Sequence, residues 1–84
     1  MTDSYGDLVE EITQVRFTPV RVTREGYDMG EVDDLLDLVV AALGRGEPVG
    51  ALLDAARLGH VRLREGYDIG EVDGFLARLR GRVG

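Results

Sequence analysis

Four carboxylates stand close together at Asp28, Glu31, Asp33 and Asp34. Oxygen ligands at that density could hold a divalent cation. A calcium loop, however, needs ligands at alternate positions and a glycine at the sixth, and Val32 stands where an oxygen is required. Helix capping explains the same acids without a metal. Asp28 is an N-cap with Glu31 three residues later as its capping-box partner, and Asp68 with Glu71 repeats the pattern. Negative charge in the first turn also suits the helix dipole. His60 is the one histidine, the chain has no cysteine, and no serine stands at a catalytic spacing from it. Nothing assembles a nucleophile, a base and an oxyanion site, so neither catalysis nor a cofactor is expected.

The ten basic residues are all arginines. Arg16, Arg21 and Arg24 flank or line one loop, and Arg57, Arg62 and Arg64 flank or line a second. Guanidinium groups pair with carboxylates and phosphates. Arg21, Arg24, Arg62 and Arg64 are therefore the candidate interaction residues.

These groups are positioned by a duplicated element. Arg24–Leu36 reads REGYDMGEVDDLL and Arg64–Leu76 reads REGYDIGEVDGFL, identical at ten of thirteen positions after a shift of 40. Beyond Asp28, the residues Val32, Leu35, Leu36, Val39, Val40 and Leu43 follow helical spacing. Gly44 offers a C-cap, and Gly46 with Pro48 stops continuation. The second copy runs through Val72, Phe75, Leu76 and Leu79, with Gly74 inside it. Leu35, Leu36, Val39, Val72, Phe75, Leu76 and Leu79 are the expected core. Each long helix follows a shorter one, Leu8–Val9–Ile12–Val15 in the first unit and Val49–Leu52–Leu53–Ala56 in the second, the latter opened by Pro48. Tyr27 and Tyr67 stand where an aromatic can staple onto Val32 and Val72 of its own helix. Gly26 and Gly66 suit a backbone conformation that a side chain would oppose. In the loops Phe17–Tyr27 and Leu58–Tyr67, His60 aligns roughly with Val20. Alternation over VRFTPVRVT suggests an edge or extended segment, because Pro19 cannot donate to a ladder. The expectation is an all-α fold, one domain over 1–84 with repeat units 5–43 and 48–82. Each unit is a short helix, an extended loop and a capped long helix, and the long helices pair.

The Gly-Tyr-Asp…Glu-Val-Asp pattern in both copies, ending in Phe75–Leu76 in the second, resembles the N-terminal domain of the DivIVA family, bacterial cytoplasmic scaffolds of the septum and cell pole. The resemblance implies side-by-side long helices and a role near division or polar growth. It also implies that the Arg-bearing loops meet an anionic membrane. Neither loop tip carries the Phe or Trp found in relatives: Phe17 stands at the entrance of the first loop, where burial against the helices is expected, and Leu58 replaces it in the second. No sustained heptads follow, so filament assembly is not among the expectations.

The whole chain has 16 acidic residues and a net charge of −6, which argues against nucleic acid. The acidic N-terminus is unlike a signal peptide. At 84 residues a single domain buries about 60–65% of its chain surface. The expected function is a non-enzymatic protein-interaction or scaffold module in the cytoplasm. A membrane-surface module, peripheral at the inner face of the cell membrane, is the second reading. A homodimerising structural subunit is the third.

Overall fold

The computed structural model describes residues 4–21 and 24–83. Among the described residues, four helices form where the apolar spacing requires them: α1 (Ser4–Gln14), α2 (Met29–Arg45), α3 (Gly50–Ala55) and α4 (Ile69–Val83). Asp28 caps α2, its Oδ1 accepting from the Glu31 amide at 3.0 Å. Asp68 does the same for α4, accepting from Glu71 at 2.9 Å. The end of α2 lies one turn-half beyond the expected stop. Gly46, not Gly44, takes the left-handed conformation (φ 69°). The Glu47 amide donates to the Ala42 carbonyl at 2.8 Å and the Gly46 amide to Leu43 at 3.2 Å, the hydrogen-bond pair of a Schellman turn. α3 begins two residues after Pro48, with Val49 at its N-cap position.

The fold is not all-α. Between the helices the described residues form four two-residue strands: β1 (Pro19–Val20), β2 (Gly26–Tyr27), β3 (His60–Val61) and β4 (Gly66–Tyr67). They form one antiparallel sheet in the order β1-β4-β2-β3. Pro19 sits on an edge strand, where its missing N–H costs no ladder bond. The part of the extended segment at Val22 and Thr23 lies outside the described residues. The register places His60 opposite Tyr27 and Pro19 opposite Tyr67. His60 is thus the counterpart of Pro19, not of Val20, and the extra residue of the first loop falls after Val20.

Each strand finds its partner in the other repeat. β1 pairs with β4 and β3 with β2, while β2 and β4 meet at the centre through Tyr27 and Tyr67. No described strand pairs within its own repeat. Gly26 and Gly66 serve this crossing. Their backbones are not left-handed; what they supply is space. A Cβ on Gly26 would stand 2.6 Å from Val20 Cγ2 and 2.9 Å from the Tyr67 carbonyl. One on Gly66 would stand 2.6 Å from the Tyr27 carbonyl and 2.8 Å from Val61 Cγ2.

α2 and α4 both start at this sheet. At their far ends, Leu43 and Gly46 share one depression with Val83. They therefore run in the same direction, and the molecule is elongated, 48 × 22 × 18 Å. Leu8 and Ile12 of α1, Val32, Leu35, Leu36, Val39, Ala42 and Leu43 of α2, Leu53 of α3 and Val72, Phe75 and Leu79 of α4 form one apolar cluster with Val49. Leu76, expected in that core, is only partly buried at its margin. Phe17 packs beside it, its ring 5.4 Å from that of Tyr67 and 5.7 Å edge-on to Phe75.

Candidate interaction surface

The N-terminal ends of α2 and α4 are locked to the opposite repeat by two matching clamps. The Asp28 amide donates to the Gly59 carbonyl at 2.8 Å, and the Gly59 amide donates back to Glu31 Oε1. In the other half the Asp68 amide donates to the Thr18 carbonyl at 2.9 Å. The Thr18 amide and hydroxyl then hold the two oxygens of Glu71 at 2.6 and 2.9 Å. This corrects the capping-box expectation. A loop carbonyl of the other repeat takes the N-cap amide, which frees Glu31 and Glu71 to bind the same loop residue. The Asp half of each box holds its own helix; the Glu half holds the neighbour.

The tyrosines cross in the same way. Tyr27 donates its hydroxyl to Asp73 Oδ1 at 2.6 Å and Tyr67 donates to Asp33 Oδ1 at 3.1 Å. Their hydroxyls thus tie the opposite helix, in place of a purely local staple. The bond to Asp73, with burial adding to it, pushes the Tyr27 phenol up to about 12. Tyr67 is raised mainly by burial and then by Asp33, with Arg16 opposing. A phenol raised on folding stabilises the fold fully below the unfolded value near 10 and loses that contribution as pH rises through the folded value. The melting temperature of the chain is expected to fall between pH 10 and 12. Tyr27→Phe is expected to lower it at pH 8 and to make that alkaline fall shallower; parallel alkaline falls in both proteins would count against the linkage.

With these acids occupied by capping and clamping, Arg21, Arg24 and Glu25 of the β1–β2 connection and residues 62–65 between β3 and β4 remain at the sheet end. Arg21, Arg24 and Arg62 are exposed, and none has a side-chain hydrogen bond or ion pair among the described residues. Arg64 differs: its guanidinium pairs with the Asp28 carboxylate. Glu25 pairs with His60 Nδ1 at 2.8 Å, and the imidazole rests edge-on to Tyr27 with centroids 5.0 Å apart. Between Arg62 and Arg64 stands Leu63, 87% exposed. The family resemblance points to aromatic loop tips, whereas the exposed tip here is aliphatic. An apolar residue between two arginines in a loop was the available signal.

Comparison of the chain with protein-family models, with curated proteins and with solved structures finds no match.

The remaining arginines serve the frame. Arg82 pairs with Glu11 at 2.9 Å and Arg80 with Asp54 at 2.6 Å, tying α4 to α1 and to α3. Arg78 lies over the Phe75 ring, 5.9 Å from its centroid. Arg16 and Arg57 bond nearby backbone carbonyls. Arg16 also lines a cleft of about 490 Å³ together with Ile12, Leu36, Val40, Asp33, Asp37 and Tyr67. Among the described residues, no three His, Asp or Glu side chains are grouped to hold a metal ion. No described helix is long and apolar enough to cross a membrane.

Proposed function

We propose that this chain is a non-enzymatic interaction module whose working surface is its pair of β–β connections, and that an anionic membrane surface is what they meet. The observation that supports this is Leu63, 87% exposed between Arg62 and Arg64. A leucine held out in water finds its counterpart in an apolar environment, and full burial of such a side chain contributes about 1.5–3 kcal/mol. Each arginine near an anionic leaflet adds about 1 kcal/mol. Arg21, Arg24 and Arg62 are unpaired among the described residues, whereas Arg64 is held by Asp28. The resemblance of the duplicated unit to DivIVA N-terminal domains agrees with this surface and suggests a place beside the division or polar-growth machinery, peripheral at the inner membrane face.

The net charge of −6 favours a second reading, because an acidic body is repelled by an anionic bilayer at long range. In that reading the same arginines and Leu63 dock on a protein partner with an acidic, apolar groove.

Flotation with anionic liposomes separates the two. Wild-type protein is expected to float at low salt and progressively less as ionic strength rises. Leu63→Glu and Arg21→Glu/Arg62→Glu are each expected to abolish flotation. As surface changes they should leave stability within about 0.5 kcal/mol. Wild-type protein that stays at the bottom of the gradient at low salt would remove the membrane reading and leave the protein partner.

A further inference from the structure

Neither repeat is complete without the other. Each supplies two strands whose ladder partners are both in its mate. Thr18 closes onto Glu71 and Asp68, as Gly59 closes onto Glu31 and Asp28. Both tyrosine hydroxyls also cross. The only covalent path between these halves is the connection 46–49, a tight turn made by Gly46 (φ 69°) and followed by Pro48.

We propose that a second copy of this chain is a binding partner, joined by exchange of repeats: the α3–β3–β4–α4 half of each chain closes on the α1–β1–β2–α2 half of the other. Every cross-repeat hydrogen bond and packing contact is then made again between chains. Only the conformation of 46–49 changes, so the balance between the closed monomer and the exchanged dimer is set by that turn and by concentration. Pro48 prevents α2 and α3 from fusing into one helix when the turn opens.

The core also specifies which halves meet. Phe17 of the first repeat packs on Phe75 and Tyr67 of the second, whereas the counterparts of Phe17 and Phe75 are Leu58 and Leu35. Two first repeats would set Phe17 against Leu35, and two second repeats would set Leu58 against Phe75. First-to-second pairing keeps the two rings together and leaves no half open in a two-chain ring. The inference is independent of what the loops bind, although an exchanged dimer would carry four of them and gain avidity on any surface.

The test uses full-length protein, unfolded at high concentration, refolded, and sized by chromatography with light scattering. Wild-type protein is expected to give a species of twice the 9.2 kDa chain mass, in a proportion that rises with refolding concentration. Gly46→Val places a β-branched residue in the left-handed region, and Gly46→Asn places one that tolerates it. The valine variant is expected to give about tenfold more dimer than the asparagine variant at equal concentration. A topological readout comes from Glu11 and Arg82, which lie 2.9 Å apart across the two repeats in a chain without native cysteine. Glu11→Cys chains co-refolded with Arg82→Cys chains should join through a short bis-maleimide linker into a covalent heterodimer.

Dimer without that heterodimer would show association by another surface and overturn the proposal. So would wild-type and Gly46→Asn chains that stay monomeric at every concentration with no cross-link. If Gly46→Val fails to fold, the wild-type concentration series and the cross-link decide alone.

Discussion

Gly66→Ala is expected to cost about 3 kcal/mol or more, read as a lower urea midpoint with an unchanged slope. The added methyl would lie 2.6 Å from the Tyr27 carbonyl oxygen and 2.8 Å from Val61 Cγ2. The first of these is backbone in the central strand pair, so it cannot turn aside as a flexible side chain would. Total stability of a domain this size is about 5–10 kcal/mol, which makes the loss a large share of it. Gly26→Ala meets Val20 Cγ2 at 2.6 Å and the Tyr67 carbonyl at 2.9 Å, and the same direction is expected. Gly74→Ala provides the contrast. That glycine is inside α4, and its added Cβ would meet only Arg78 Nη1 at 3.7 Å, an ordinary contact. There, relief of the helical glycine penalty should raise stability by about 1 kcal/mol. A neutral Gly66→Ala would mean that β2 and β4 do not approach as closely as the structure has them.

Phe75→Ala is the second large effect, expected at about 3–5 kcal/mol of lost stability in the same measurement. The ring is 4% exposed and meets Phe17 edge-on. It also lines two clefts, one with Leu8 and Leu79 and one with Thr18 and Glu71. Truncation leaves a cavity that the surrounding residues close only in part. Phe75→Leu restores the residue type found at the equivalent Leu35 and should cost about 1 kcal/mol. Equal losses for Ala and Leu would show that the Phe17 contact, and not volume, carries the effect.

The duplicated segment made much of this molecule legible. The helical spacing from Val32 to Leu43 and from Val72 to Leu79 placed α2 and α4, and Asp28 and Asp68 cap them at 3.0 and 2.9 Å. These features depend on residues within one or two turns of each other, so local order suffices to read them. The stop at Gly46 in place of Gly44 is a matter of two residues in one turn. Pro19 correctly limited its segment to an edge.

The sheet was not legible, and the physical reason is its size and its pairing. A two-residue strand has no alternation to detect, and its hydrogen bonds go to residues about 40 positions away. The same distance hid the second role of Glu31 and Glu71, whose spacing from Asp28 and Asp68 suits a local box equally well. It hid the tyrosine crossing too. The arginines were found by composition, but their exposure, the pairing of Arg64 with Asp28 and the projection of Leu63 depend on where the crossed strands leave each loop.

The sequence by itself determined two capped amphipathic helices, their glycine-marked approaches and an acidic chain with arginines gathered in two loops. Tertiary structure alone decided that each repeat completes the other. Hydrogen bonds within a helix are made between near neighbours, whereas a strand edge, a freed glutamate and a tyrosine hydroxyl take whichever partner the packing brings to them.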